Sequence, residues 1–201
     1  MIPNELIDLI CRKLNDNILE KLCLSSIFLY SLNKILLEKI DRKRKIESWI
    51  EEGIDDLIMD NDIEGAKYMI SYNHHDSDDI DFYLDSACYF GDLEMVKYFV
   101  SLGGNPKAHK NASIINACTV GKLDIVKYLV SLGADITDEE NKALTRACRH
   151  GHLDIVKYIY SQADIIANRN WALKIARVCD HEKIVEFLLL ENMRLRKRGI
   201  N

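Results

Sequence analysis

A period of 30 residues constrains this 201-residue chain more than any other feature. Ala87-Cys88, Ala117-Cys118 and Ala147-Cys148 recur in step, as do Gly91, Gly121 and Gly151. Val96-Lys97-Tyr98 returns at Val126-Lys127-Tyr128 and Val156-Lys157-Tyr158, and Ser101-Leu102-Gly103 returns at Ser131-Leu132-Gly133. Fainter copies flank these three. Asp62-Ile63-Glu64 and Lys67-Tyr68 precede them by one period; Ala176, His181, Ile184-Val185 and Phe187 follow after a one-residue deletion near Gln162. A chain built this way folds as stacked copies of one small unit, because a single copy cannot bury its own apolar face.

Each copy reads as two short helices. In the third unit the first helix is expected from about Asn111 to Val120, with Ile114, Ile115, Ala117 and Cys118 inward. Gly121 ends it by supplying a left-handed residue. The second helix is expected from about Leu123 to Leu132, with Leu123, Val126, Leu129 and Val130 on one face. Gly133-Ala134-Asp135 turns the chain into the next unit. With two prolines, nine glycines and much Leu, Ile, Lys and Glu, nothing competes with helix. The fold class is therefore all-α: a solenoid of about five helix-turn-helix units, 48–77, 78–107, 108–137, 138–166 and 167–195, behind a helical segment 1–47 and before a basic tail 196–201.

Composition narrows the function. Hydrophobic content of 48% with 29% charged residues is a folded, water-compatible balance. The net charge of −5 argues against a nucleic-acid surface, which needs clustered positive charge. Leu22–Asn33 is a twelve-residue uncharged stretch, too short to span a bilayer, and Glu5 and Asp8 do not suit a signal peptide. A soluble, intracellular and cytoplasmic protein is expected, with the nucleus left open as a second compartment. No C-x-x-C pair, P-loop, nucleophile elbow or G-x-G-x-x-G occurs, so neither an enzyme nor a cofactor site is expected.

The repeat resembles the ankyrin repeat. Ala147-Cys148-Arg149-His150-Gly151-His152-Leu153-Asp154-Ile155-Val156-Lys157-Tyr158 matches the centre of that pattern, and Ala117 to Asp135 matches it through Gly133-Ala134-Asp135. The pattern's T-P-L-H opening is missing apart from its leucine column, here Leu84, Ile114, Leu144 and Leu173, and each unit is three residues short. Shorter loops than the usual hairpin fingers follow. Such clipped units are similar to those of amoeba-infecting giant viruses and some protists, which implies a viral protein that meets a host protein. The resemblance also implies that positions varying between copies line a concave face for a protein partner. These are Ser86, Tyr89 and Phe90; Asn116 and Thr119; and Arg146, Arg149 and His150. Aromatics and arginine are the strongest anchors among them.

Residues 1–47 break the period. Ile2-Pro3-Asn4-Glu5-Leu6-Ile7-Asp8-Leu9-Ile10 opens a helix with Pro3 in its first turn, and Leu6, Leu9, Ile10 and Leu14 share a face. This segment resembles an F-box, which implies docking on the Skp-type linker of a cullin ubiquitin ligase through Pro3, Glu5, Leu6, Leu9 and Ile10. A helical cap over the first repeat needs the same apolar face. Two functions stay open: a substrate adaptor of a ubiquitin ligase, and an ankyrin scaffold or inhibitor.

The remaining features have plainer readings. Cys88, Cys118 and Cys148 are one per unit, which suits buried small residues and not a shared metal. His150 and His152 lack the carboxylate or thiol partners of a zinc site, and His152 with His181 falls in the repeat's own histidine column. Asp76, Asp78, Asp79 and Asp81 lack the glycine and glutamate of a calcium loop and are expected as a solvated loop capping the next helix. Arg42-Lys43-Arg44-Lys45 is expected at a solvated module junction. Arg194, Arg196, Lys197 and Arg198 suit a helix C-terminus.

Overall fold

The computed structural model describes residues 30–73, 75–162 and 169–197. Among them lie eleven helices and no strand. The chain divides into two compact units, residues 1–53 and 54–201.

In the first unit, α1 (Tyr30–Glu52) runs unbroken through residues 47 and 48. Gly53 ends it at φ 83°, and its N–H donates to the Trp49 carbonyl. Arg42-Lys43-Arg44-Lys45 lies inside this helix and is exposed. Local pairing steadies that face: Lys43 approaches Glu47 at 3.7 Å, and Lys45 lies 4.9 Å over the Trp49 ring.

The second unit is a stack of five helix pairs: α2 (Ile54–Met59) with α3 (Ile63–Tyr72), α4 (Ser77–Tyr89) with α5 (Leu93–Ser101), α6 (Ala108–Val120) with α7 (Leu123–Ser131), α8 (Asp138–His150) with α9 (Leu153–Gln162), and α10 (Arg169–Val178) with α11 (Glu182–Lys197). The even-numbered, inner helices pack side by side, and each odd-numbered helix packs on its own partner as an outer layer. The core repeats with the sequence. Ala87, Ala117, Ala147 and Ala176 are fully buried, as are Cys88, Cys118 and Cys148. Leu84, Ile114 and Leu144 fill the space between inner helices, while Val96, Val126 and Val156 and then Phe99, Leu129 and Ile159 close the outer layer onto it. Leu57, Ile58 and Ala66 carry these columns into the first pair, and Ile184 and Leu188 into the last.

Helix ends follow local chemistry. Gly121 and Gly151 end α6 and α8 at φ 85° and 81°. The same column holds Asn61 at 56° and Asp180 at 57°, the two residue types that tolerate the left-handed region best after glycine. Asp62 caps α3 through the Gly65 N–H, and Asp92 caps α5 through the N–H groups of Glu94 and Met95. Asp76 caps α4 and forms a reciprocal capping box with Asp79. Asp78, Asp79 and Asp81 are thus not loop residues. They sit in the first turns of α4, where carboxylates meet the positive end of the helix dipole.

The loop from outer helix to next inner helix is tied by side chains. Asn105 N–H donates to Asp81 Oδ1 and Asp135 N–H to Asn111 Oδ1, a bond that recurs one period on. Asn105 and Asp135 then accept from the backbone N–H two residues later, at Lys107 and Thr137. These short turns take the place of the β-hairpin fingers. On entering α6, His109, Lys110 and Asn111 take φ 48°, 57° and 58°, a left-handed turn, so regular right-handed helix begins only after Asn111.

A methyl group on Gly121 would lie 2.5 Å from the His152 ring in addition to the strained φ, whereas Gly103, at φ 99°, has nothing within 4 Å. Gly121→Ala should therefore lose about 2–4 kcal/mol in urea unfolding, against about 1–2 kcal/mol for Gly103→Ala. Leu129→Ala, at a fully buried site, should cost about 2–5 kcal/mol.

Candidate functional site

Neighbouring pairs are joined at the C-terminal ends of their inner helices, and every junction uses the residue that follows the glycine column. The Asp92 N–H donates to Asn61 Oδ1 at 2.9 Å. Lys122 Nζ donates to the Gly91 carbonyl. His152 Nε2–H donates to the Thr119 carbonyl at 3.0 Å, and His181 Nε2–H to the Arg149 carbonyl at 2.9 Å. The last three satisfy backbone carbonyls at the ends of inner helices, and all four tie neighbouring pairs together. His152 and His181 are structural ties. Outer helices carry a parallel ladder: Lys67, Lys97 and Lys127 lie 5.8, 5.8 and 5.9 Å over the rings of Tyr98, Tyr128 and Tyr158 in the following unit. The recurring Lys-Tyr dipeptide was the sequence signal for this ladder, since each lysine reaches the tyrosine one unit on.

Between α4 and α6 the inner face opens into a groove of about 500 Å³. Phe82, Tyr89 and Phe90 line it at 54%, 39% and 45% exposure, high values for large apolar side chains. The Tyr89 and Phe90 rings meet edge to face at 4.7 Å. Of the lining, Ser86, Tyr89, Phe90 and Asn116 were expected from the sequence; Phe82, Asp85, His109 and Ala112 were not. No residue of an outer helix lines this groove, so it belongs to the inner row alone.

Asp85 organises the floor. It is buried, and it draws three groups of α6 onto itself: His109 Nδ1 at 2.7 Å from Oδ2, the Ser113 hydroxyl at 2.5 Å from Oδ1, and the Asn116 amide at 3.0 Å from its backbone carbonyl. Burial pushes the Asp85 carboxyl up from its ordinary range, and the hydrogen bonds from Ser113 and His109 oppose that rise. The hydrogen bond to Asp85 in turn raises the His109 pKa, helped by the charges of Asp85, Asp81 and Asp78. The three side chains do not form a nucleophile and base. Ser113 donates to the carboxylate and not to the imidazole, so the three are not ordered as a Ser–His–Asp triad. The cluster is a tie between units, and it offsets the left-handed turn at His109. In the sequence, its signal was an aspartate beside the core column of Leu84, at a position that holds Ile115 and Thr145 in the next two units.

Two units further on the same face is basic. Arg149 and His150 are exposed at the end of α8, and Arg146 is half-buried one turn earlier. Desolvation lowers the His150 pKa first, and every charge acting on it, from His152, Arg146, Arg149 and His181, lowers it further. The rings of His150 and His152 stack at 6.4 Å. Between groove and basic patch, Asn116 and Thr119 are engaged internally, Asn116 with Asp85 and the Thr119 hydroxyl with the Ile115 carbonyl at 2.7 Å.

Other expectations resolve as follows. Burial pushes the thiols of Cys118 and Cys148 up to about 12 and that of Cys88 higher still, as expected of core residues. Arg194 pairs with Glu191 at 2.5 Å near the end of α11. Pro3, Glu5, Leu6, Leu9 and Ile10 lie outside the described residues. No helix of the described residues is long and apolar enough to cross a membrane.

Compared with known families, the sequence matches the family described as ankyrin repeats, in three copies, over residues 57–140 and 84–169, together more than half of the chain. No curated protein matches it.

The His109–Asp85 bond carries a pH signature. A histidine whose folded pKa is raised contributes stability that is complete below its ordinary value of about 6.5 and is lost as pH rises through the raised value. The thermal midpoint should fall between pH 6 and 8, and this fall should shrink in His109→Asn, which keeps a left-handed-tolerant residue at φ 48°. Equal slopes in the two proteins would contradict the assignment.

Proposed function

The chain belongs to the ankyrin-repeat family, and we propose that it is a protein-binding module whose target lies along the inner helices, between the Phe82–Tyr89–Phe90 groove and the Arg146–Arg149 patch. Ankyrin repeats make it a protein–protein interaction module; the placement of the target is the added step. One observation carries it: three large aromatic side chains stay exposed on a row whose backbone is fixed by bonds between units. A monomer gains nothing by leaving such rings in water, and rigid aromatic anchors lose little entropy on binding. The lysines and tyrosines of the outer layer, by contrast, are spent on one another.

A finer reading concerns residues 1–47. Their likeness to an F-box supports an adaptor that holds a cullin-ligase linker through Pro3, Glu5, Leu6, Leu9 and Ile10 while the repeats hold a substrate for ubiquitination. The clipped 30-residue unit, similar to giant-virus families, supports a host protein as that substrate. A scaffold or inhibitor with residues 1–47 as a cap is the competing reading.

Two variants separate the two layers of this proposal. Tyr89→Ala with Arg149→Ala should weaken target binding at least tenfold while leaving circular dichroism unchanged, since both side chains are exposed. Leu6→Asp should abolish capture of a purified Skp-type linker without affecting target binding. Capture unaffected by Leu6→Asp, or absent from the folded wild-type chain, removes the ligase role and leaves the binding module.

A further inference from the structure

The inner row is chemically graded, and the grading specifies a partner. Equivalent positions read Ser86, Asn116, Arg146 and then Tyr89, Thr119, Arg149 from the second unit to the fourth. The second unit offers aromatic surface. The third offers no free anchor, because the Asn116 amide and the Thr119 hydroxyl are both bonded within the array. The fourth offers two guanidinium groups that have no ion pair among the described residues, and the charges acting on the adjacent His150 are all positive. Two guanidinium groups with no ion pair among the described residues, beside an exposed imidazole on which every acting charge is positive, are a site of excess positive potential that an anion relieves.

Geometry sets the spacing. Packed helices lie about 8–10 Å apart, so two steps of the inner row separate the aromatic groove from the arginines by about 20 Å. An extended peptide advances about 3.3 Å per residue, so it crosses that gap in about six residues. We propose that the partner is an extended peptide segment that lays an apolar or aromatic side chain on Phe82, Tyr89 and Phe90 and, about six residues away, an acidic side chain on Arg146 and Arg149. This rests on the inner row being the binding face, as argued above. A nucleic acid fits less well: a phosphate backbone needs positive charge all along its track, whereas α4 carries Asp78, Asp79, Asp81 and Asp85.

The test is selection of displayed random dodecapeptides on the full chain, followed by fluorescence anisotropy with synthetic copies of the winners. The expected consensus pairs an apolar residue with Asp or Glu five to seven positions away. Arg149→Glu should weaken these peptides at least tenfold, and changing the peptide's acidic residue to Lys should restore binding to that variant. Tyr89→Ala should remove the apolar preference and leave the acidic one. Binding should also raise the His150 pKa in an NMR titration, since a carboxylate would then oppose the cations around it. Selected peptides that bind the inner row with no fixed spacing, or with basic residues, overturn this inference and leave the proposed face intact. Peptides insensitive to both Tyr89→Ala and Arg149→Glu overturn the face itself. No enrichment of any peptide, or tighter binding of a twenty-residue oligothymidine with steep salt dependence, overturns the peptide assignment.

Discussion

Everything in the repeat unit depends on how closely successive inner helices approach. Ala87, Ala117, Ala147 and Ala176 stand at the contact, each fully buried, with the cysteine column beside the first three. Side chains this small let backbones come near enough for one unit's end to be bonded by the next. The His152, His181 and Lys122 bonds to carbonyls of the preceding unit are reachable only at that separation. A larger residue in the alanine column would push helices apart and break packing and ties together. Stability in such a stack is a sum of unit terms and nearest-neighbour terms, and here the polar neighbour terms sit at the inner-helix ends, in the connecting turns, at Asp85 and along the outer Lys–Tyr ladder.

That placement frees the rest of the inner face. Ties at the helix ends and in the connecting turns satisfy the backbone locally, so the surface between them is not needed for folding. Residues there can differ from unit to unit at little structural cost. The second unit uses this freedom for aromatics and the fourth for arginines. Where the third has Asn116 and Thr119, both are drawn into the scaffold. The buried Asp85 shows the limit of that freedom: a carboxylate so near the core needs His109 and Ser113 on its oxygens, and both come from one neighbouring helix.

Much of this was legible in the sequence because periodicity reports burial directly. The helix from about Leu123, the glycine ends and the buried cysteines follow from columns that repeat. Tyr89, Phe90 and Arg149 were legible as exposed residues for the opposite reason, in columns that vary, whereas Phe82 was missed. What escaped was pairing across units. Asp85 with His109 is 24 residues apart and Lys97 with Tyr128 is 31 apart, and neither separation is a local pattern. The left-handed turn at His109–Asn111 also left no mark, since histidine and lysine do not announce a positive φ as glycine does. Asp78, Asp79 and Asp81 were expected in a loop because charge density suggests solvent; their helical place follows from the capping box at Asp76, which is visible only once Asp79 is seen to bond back.

The central claim is that the inner row binds and the outer layer does not. Hydrogen–deuterium exchange read by mass spectrometry, with the full chain free and then saturated with a bound peptide or target, tests it most directly. The account predicts added protection in peptides covering 82–90, 109–120 and 142–150, and none in the outer helices α5, α7 and α9. Protection that appears chiefly on those outer helices, with the inner row unchanged, would contradict it.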